Sequence, residues 1–268
     1  MFYQAKNGKV PVGSTDMDYI SFGKGKEILI MLPGLGDGLS TVKGMALAFA
    51  AMYRIYAEKY RVFVFSRKNH LPQGYTTRDM ARDQAQAMES LGILKASVLG
   101  ISQGGMIAQY LAIDYPALVD RLILAVTLCR QNETVQGAVK GWMNLAGQGS
   151  YRELIIDTAE KSYSEKYLRK YRLLYPVLGR IGKPKDFGRF LIQAASCIQH
   201  DSWKELGKIT CPTLVIGGGR DRIAGPGAAP ELSGKIRNSS LFVYEGLGHA
   251  VYEEAEDFNR RVLDFLQN

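Results

Sequence analysis

Cysteine is scarce in this chain of 268 residues, which has three: Cys129, Cys197 and Cys211. They are widely spaced and odd in number, so they fit neither a disulfide framework nor a zinc site, and we interpret them as reduced thiols. The chain begins without the long apolar core of a signal peptide, and no apolar stretch has the length that spans a bilayer. We therefore expect a cytoplasmic protein without a membrane partner.

Signatures of bound cofactors are missing as well. Gly34-Leu35-Gly36 is too short for a dinucleotide-binding loop and continues into Asp37-Gly38. The sequence also lacks a cluster of His, Asp and Glu with metal-ligand spacing. We expect neither a cofactor nor a metal ion.

The net charge of +8 is unevenly distributed. Between Arg130 and Arg189 there are 12 Lys or Arg residues against 6 Asp or Glu residues, so one middle segment holds most of the excess. Neither a strand with stacking aromatics nor a recognition helix accompanies it, so we expect no nucleic-acid partner. We interpret the segment as a solvated helical surface; alternatively, it attracts an anionic substrate to a nearby pocket.

Short apolar runs alternate with helical segments along most of the chain. The runs are continuous, as expected of parallel strands that are covered on both faces, so the alternation predicts an α/β fold. Strands are predicted at residues 27–32, 61–65, 96–101, 121–126, 212–216 and 241–244. Helices are predicted at about residues 41–58, 76–91, 103–114 and 255–266, and an edge hairpin from residues 2–4 and 16–22.

The alternation stops between Arg130 and Lys208, where short helical stretches are punctuated by glycines. This segment lies between two predicted core strands. We therefore predict a core made of residues 1–129 and 209–268, with residues 130–208 forming a helical cap inserted above the sheet.

The most informative stretch is Gly100-Ile101-Ser102-Gln103-Gly104, a Gly-x-Ser-x-Gly motif. A predicted strand precedes it, and apolar residues at helical spacing follow it. This is the context of a nucleophile elbow, a sharp turn that exposes a serine hydroxyl. We predict that Ser102 is a catalytic nucleophile; the alternative is a glycine-rich turn with a surface serine.

An acid and a histidine follow the last two predicted strands. Sites in open parallel sheets form at the carboxyl ends of strands, where Asp221 and His249 would both lie. A serine hydroxyl needs a base, so His249 would remove its proton and Asp221 would orient the imidazole. Ser66-Arg67-Lys68 follows an earlier strand and receives no role.

Each of these residues has an alternative interpretation. Asp221 lies between Arg220 and Arg222 and could form a surface ion pair instead, and His249 could be a structural loop residue. The other histidines, His70 in a polar loop and His200 beside Asp201, are expected to be structural or exposed.

An oxyanion hole needs two donors aimed at the attacked carbonyl. One should be the backbone N–H of Gln103, the residue after the nucleophile. The other should come from the glycine-rich loop after strand 27–32. We favour the backbone N–H of Leu35, with Gly36 as the second choice.

With these pieces the chain resembles the α/β-hydrolase superfamily over nearly its whole length. It is most similar to the serine esterase and enol-lactonase-like branch with a helical cap. The resemblance implies a mostly parallel eight-stranded sheet flanked by helices, and the chain order Ser102, Asp221, His249 is the family's order. The matching segments are residues 32–36, 100–109, 212–217 and 246–249.

Two positions depart from the family's pattern. Pro33-Gly34 stands where the family often has His-Gly. Because the oxyanion donors are backbone groups, this difference should affect only the local packing. Pro226 lies five residues after Asp221, where the family often has proline at four, so this loop should differ slightly.

Three functions remain open. The first is hydrolysis of a small carboxylic ester, thioester or lactone through an acyl-enzyme, with an anionic acyl group as a further hypothesis. The second is carbon–carbon bond hydrolysis or a cofactor-free reaction on the same scaffold. The third is non-catalytic ligand binding, which we rank last because all three triad positions are occupied. The sequence predicts no oligomeric state.

Overall fold

The computed structural model describes residues 2–268. Its strands are β1 (Lys6–Val12), β2 (Thr15–Phe22), β3 (Glu27–Leu32), β4 (Tyr60–Lys68), β5 (Ala96–Ile101), β6 (Val119–Ala125), β7 (Thr213–Gly218) and β8 (Ser239–Tyr244). They form one eight-stranded sheet in the order β1-β2-β4-β3-β5-β6-β7-β8. β2 runs antiparallel to both β1 and β4, and every other pair is parallel, which confirms the predicted mostly parallel sheet.

Helices cover both faces of the sheet and its carboxyl edge. The α-helices are α1 (Ala46–Met52), α2 (Thr77–Ser90), α3 (Gln103–Asp114), α4 (Glu133–Gly147), α5 (Tyr151–Ser162), α6 (Glu165–Tyr171), α7 (Tyr175–Leu178), α8 (Gly188–Gln199), α9 (Ala228–Ser233), α10 (Val251–Glu254) and α11 (Phe258–Gln267). One apolar core joins α2, α3 and α9 to the first face, and a second joins α1 and α11 to the other. Burial on both faces explains why the parallel strands are continuously apolar.

Helices α4 to α8 form the segment between β6 and β7, which we call the insertion. A third apolar core attaches the insertion to the rest of the chain, with Trp142 and Phe190 packed in one cluster with Leu35 and Met106. The Trp142 indole N–H donates to Asp157 at 2.7 Å, so α4 and α5 are also joined by a polar contact. The insertion therefore packs directly over the loop and helix that flank Ser102.

The structure corrects the predicted edge hairpin. Residues 2–4 form a short 3₁₀ turn, and the first strand is β1 instead. The tight turn at Gly13 pairs Val12 with Thr15, so the residues directly before the turn must form the partner strand. Gly8 and Pro11 weaken the strand pattern there, although Pro is tolerated on an edge strand.

The predicted helix at residues 41–58 is much shorter, because only α1 is helical. Gly44 has a φ of +85°, which a right-handed helix cannot include. At the carboxyl end of the chain the helix begins at Phe258 rather than at residue 255. Among residues 2–268, the structure contains no helix with both the length and the apolar character needed to cross a membrane.

Strand β4 is longer than predicted. Its parallel pairing with β3 stops at Val64, but its antiparallel pairing with β2 continues as far as Lys68. Ser66 and Arg67 therefore belong to the strand instead of following it. The overhang carries Arg67 past the end of β3, alongside the loop that begins at Pro33.

Candidate active site

Ser102 lies at the sharp turn between β5 and α3. Its φ of 54° and ψ of −118° are rare for a residue with a side chain. A Cβ on Gly100 would approach the Gly104 carbonyl oxygen to 2.6 Å, and one on Gly104 would overlap the Leu32 carbonyl. Both motif glycines are therefore required by close backbone approach, as in a nucleophile elbow.

The structure brings Ser102, His249 and Asp221 into one chain of hydrogen bonds. The Ser102 Oγ lies 3.0 Å from the His249 Nε2, and the His249 Nδ1 lies 2.8 Å from the Asp221 Oδ2. The Asp221 side chain is 3% exposed and the His249 side chain 8%, so little water screens the pair. Because a carboxylate only accepts, the neutral imidazole carries its proton on Nδ1 and leaves Nε2 free to accept from the serine hydroxyl.

Backbone groups hold Asp221 in this orientation. Its Oδ1 accepts from the N–H groups of Ile223 and Ala224, both at 2.8 Å, while Oδ2 faces the imidazole. Gly218 at the end of β7 touches the backbone of Gly248, where a Cβ would not fit. The two loops that carry the acid and the histidine can therefore lie against each other.

The candidate oxyanion donors lie on either side of Ser102. Leu35 is the first residue of a 3₁₀ helix and Gln103 is the first residue of α3, so neither N–H has a partner within its own helix. Gly34 brings the first loop close, because a Cβ there would lie 3.3 Å from the Ser102 Cβ. Among the residues that the structure describes, neither N–H donates to a backbone acceptor in a turn, loop or cap.

Residues 27–256 match the family described as the alpha/beta hydrolase fold. The chain belongs to the α/β-hydrolase family.

Known members of the family resemble this chain over nearly its full length. A 2-hydroxy-6-oxononadienedioate/2-hydroxy-6-oxononatrienedioate hydrolase of Pseudomonas putida is 28% identical over 97% of this chain and 95% of its own. An α/β-hydrolase enzyme from a Medee basin deep-sea metagenome has a TM-score of 0.85 at 21% identity, covering 97% of this chain and 98% of its own. The enol-lactonase from Burkholderia xenovorans LB400 has a TM-score of 0.80 at 21% identity, covering 97% of this chain and all of its own.

In this α/β-hydrolase a buried cluster of charged groups lies beside the candidate donors. The Arg67 Nη2 donates to the Pro33 carbonyl at 2.6 Å and to the Gln103 Oε1 at 3.0 Å. The Asp37 Oδ2 accepts from the Arg67 backbone N–H at 3.0 Å and from the Arg189 Nη2 at 2.6 Å. No local sequence signal indicated this cluster, because it depends on the overhang of β4 beyond β3 and on Arg189, which arrives from α8 of the insertion.

A groove of about 550 Å³ opens on the other side of Ser102. Ser102 itself is not part of the lining, but Gly34 and Ile101, which flank it, are, so the groove extends to the residues beside the serine. Of the described residues that line it, only Glu253 carries a charge at neutral pH, and its carboxylate accepts from the Tyr163 hydroxyl. The rest of the lining is mainly aromatic or thioether, including Met45, Phe49, Met52, Tyr53, Tyr167 and Tyr252.

The remaining histidines lie outside this hydrogen-bond chain. His70 is exposed, whereas His200 is buried between the Thr77 hydroxyl and the Gln109 Oε1, at 2.9 and 3.3 Å. Burial lowers the pKa of the His200 imidazole to about 3, so it stays neutral. Within residues 2–268 no three His, Cys, Asp or Glu side chains are grouped as metal ligands would be.

Proposed function

We propose that this chain is a serine hydrolase that cleaves a bond to a carbonyl carbon. The observation that carries the proposal is the hydrogen-bond chain from Ser102 through His249 to Asp221. In the first step the Ser102 Oγ attacks the carbonyl carbon while the His249 Nε2 takes its proton. The backbone N–H groups of Leu35 and Gln103 stabilise the negative charge on the carbonyl oxygen.

The second half of the reaction regenerates the free hydroxyl group of Ser102. The intermediate collapses, the bond to the leaving group breaks, and the imidazolium of His249 donates its proton to that group. Water, deprotonated by His249, then attacks the acyl-enzyme, and Ser102 leaves with the proton. Asp221 stabilises the imidazolium in both halves without becoming protonated.

For the bond that breaks, we propose the carbon–carbon bond next to a ketone. Support comes from relatives such as the P. putida enzyme, whose name describes hydrolysis of 2-hydroxy-6-oxononadienedioate, aligned over 97% of this chain. A carbon leaving group needs a conjugated carbonyl to take up its electron pair, and a 2-hydroxy-6-oxo-diene supplies one after its enol ketonises, when the hydroxyl proton has moved to C5 and the C2 carbonyl accepts the pair released from C5. The triad and the two donors are suited to the attack on the ketone.

A second candidate is hydrolysis of a neutral ester or lactone, and the groove favours it. A dioate carries two carboxylates, which require cationic partners when they leave water. The groove beside Ser102 instead holds the carboxylate of Glu253 among apolar and aromatic side chains. This lining suits an uncharged tail, whichever bond is broken.

One substrate panel separates these possibilities. It compares 2-hydroxy-6-oxononadienedioate, a 2-hydroxy-6-oxo-dienoate with a phenyl tail, and p-nitrophenyl butyrate. Carbon–carbon cleavage predicts the highest kcat/KM for the phenyl-tailed dienoate, whereas ester hydrolysis predicts turnover of the butyrate alone. If the protein turned over none of the three compounds, the proposal would be contradicted.

The same panel is run with Ser102→Ala. We expect kcat to fall by about 10⁴-fold or more, because the nucleophile is gone. Ser90→Ala, a change on the exposed end of α2, is the matched control and should keep the wild-type rate. Labelling of the wild type, but not of Ser102→Ala, by a fluorophosphonate would exclude a purely ligand-binding protein.

A further inference from the structure

Arg67 ties together the two segments that carry the candidate oxyanion donors. A single nitrogen of its guanidinium group, Nη2, contacts both of them: Pro33, two residues before Leu35, and the side chain of Gln103. The overhang of β4 beyond β3 is what brings the guanidinium there. One side chain therefore contacts both of the segments that carry the candidate donors.

A gain in the folding stability of the protein does not explain why Arg67 is buried. Arg67 is 1% exposed, and among residues 2–268 no acceptor lies within hydrogen-bond distance of its Nε or Nη1. Burial lowers the pKa of the guanidinium to about 10, so it remains charged at neutral pH. A buried charge with unsatisfied donors usually costs more than its contacts return, and apolar replacements of such groups are often neutral or stabilising.

Within the described part of the chain, Arg67 has no carboxylate to itself that would neutralise its charge. Asp37 is the carboxylate of the cluster, and it is shared with the Arg189 guanidinium of the insertion at 2.6 Å. Asp37 accepts from the backbone N–H of Arg67 and not from its guanidinium group, so two guanidinium charges share one nearby carboxylate and the cluster keeps an excess positive charge next to Gln103. A fixed positive charge near a developing oxyanion lowers its energy without any reorganisation during the reaction.

We propose that Arg67 is a positioning residue for the oxyanion hole. It holds the Pro33–Leu35 loop and Gln103 at the separation that a tetrahedral oxyanion requires, and it adds positive charge behind them. Arg67 is buried away from the groove, so it acts through these two segments rather than on the substrate. The inference rests on the proposed serine mechanism.

The first test separates positioning from folding. Arg67→Met keeps the length and removes the donor, and we expect kcat to fall about tenfold to a hundredfold while KM changes less than threefold. The melting temperature should fall by no more than about 4 °C. Arg67→Lys keeps the charge and one donor nitrogen, and should recover most of the lost kcat.

Two further variants keep the test decisive. Gln103→Met removes one of the two contacts and should lower kcat severalfold even if Arg67→Met does not fold. Arg78→Met is the matched control, because Arg78 pairs with Asp114 and Glu205 on the surface. It loses two ion pairs but should keep the wild-type kcat. A loss confined to KM, or a kcat within twofold of wild type in both Arg67→Met and Gln103→Met, would overturn the inference.

The closing experiment measures the affinity of an aryl trifluoromethyl ketone, which forms a tetrahedral oxyanion with a catalytic serine. Arg67→Met should bind it at least tenfold more weakly than wild type, in parallel with kcat, while Arg78→Met binds it normally. Ser102→Ala should lose this tight binding altogether. If Ser102→Ala binds as tightly as wild type, the proposed function fails; if it loses binding while Arg67→Met does not, only the role of Arg67 fails.

Discussion

The two sides of Ser102 are built differently. On the packed side, Asp37, Gln103 and α8 are joined by buried hydrogen bonds and by the Asp37–Arg189 ion pair. On the open side, the groove is lined by aromatic and methionine side chains, and Met45 and Met52 are 42% and 62% exposed. One side is specified by directional contacts, and the other by shape and apolar surface.

The difference indicates how the two demands on a hydrolase are divided. Bond cleavage needs donors held to within a fraction of an ångström, which directional contacts on rigid elements provide. Substrate selection tolerates adjustment, and unbranched methionines adapt to different shapes. We therefore expect substitutions in the hydrogen-bonded part to lower kcat and substitutions in the groove to change substrate preference.

Among the substitutions that compare the two sides of Ser102, Asp221→Asn should give the largest effect. The Asp221 Oδ1 is held by the N–H groups of Ile223 and Ala224, so the asparagine oxygen would stay there and its NH₂ would face His249. The imidazole would then be driven to the wrong tautomer, with its proton on Nε2. We expect kcat to fall about 10³- to 10⁴-fold with little change in KM, measured by steady-state kinetics.

The control is Asp257→Asn, which changes an exposed carboxylate paired with Arg261 and should leave kcat unchanged. If Asp221→Asn kept a tenth of the wild-type rate, fixed hydrogen bonds would not govern the chemistry, and the contrast between the two sides would lose its basis.

His200 tests how the packed side responds to acid. Its folded-state pKa, lowered to about 3 by burial, lies below the value of about 6.5 in an unfolded chain. Between these values the unfolded chain binds a proton that the folded chain does not. The contribution of His200 to the free energy of unfolding is therefore fully present above about pH 6.5. It falls by about 1.4 kcal/mol per pH unit as the pH drops toward 3.

Urea unfolding at several pH values between 7.5 and 4.5 measures this slope. His200→Gln should flatten it, whereas His70→Gln, a change of an exposed histidine, should leave it as in wild type. An unchanged slope in His200→Gln would mean that other groups cause the acid sensitivity.

Glu253→Gln should give the smallest effect and tests the open side. Glu253 is exposed and partly screened, so removing its charge should raise kcat/KM for a succinate monoester relative to a butyrate monoester by only about two- to fivefold. The gain should shrink in high salt. Glu256→Gln, an exposed neighbour outside the groove, is the control. A wild-type preference for the succinate ester would instead support attraction of anions by the basic insertion.

Much of the hydrogen-bonded part could be predicted from the sequence, because its geometry depends on local patterns. A glycine-bounded serine after a strand predicts the elbow, and an acid and a histidine after the last strands predict their meeting at one edge. The chain order completes the resemblance to the family. Parallel strands end together, so no long-range detail is needed to place Ser102, Asp221 and His249.

The rest depends on contacts between distant segments. Arg67 reaches Gln103 only because β4 extends beyond the end of β3. Arg189 reaches Asp37 only because α8 packs on the core. Neither strand register nor helix packing is visible in a local sequence pattern. The groove is lined by residues in and beside α1, whose bounds differ from the predicted helix because Gly44 has a positive φ. The surfaces that choose the substrate are therefore the least readable part of the sequence.

Both tryptophans of the chain, Trp142 and Trp203, lie between β6 and β7. Trp142 is buried against Asp157, and Trp203 is stacked beneath the cations of Arg130 and Lys235 at 4.1 and 4.3 Å. Indole fluorescence excited at the red edge therefore comes from this segment alone, while the sheet contributes none. The molecule therefore carries two optical probes: Trp142 reports on the helices above the serine, and Trp203, which packs against the first apolar core, reports on the sheet below them.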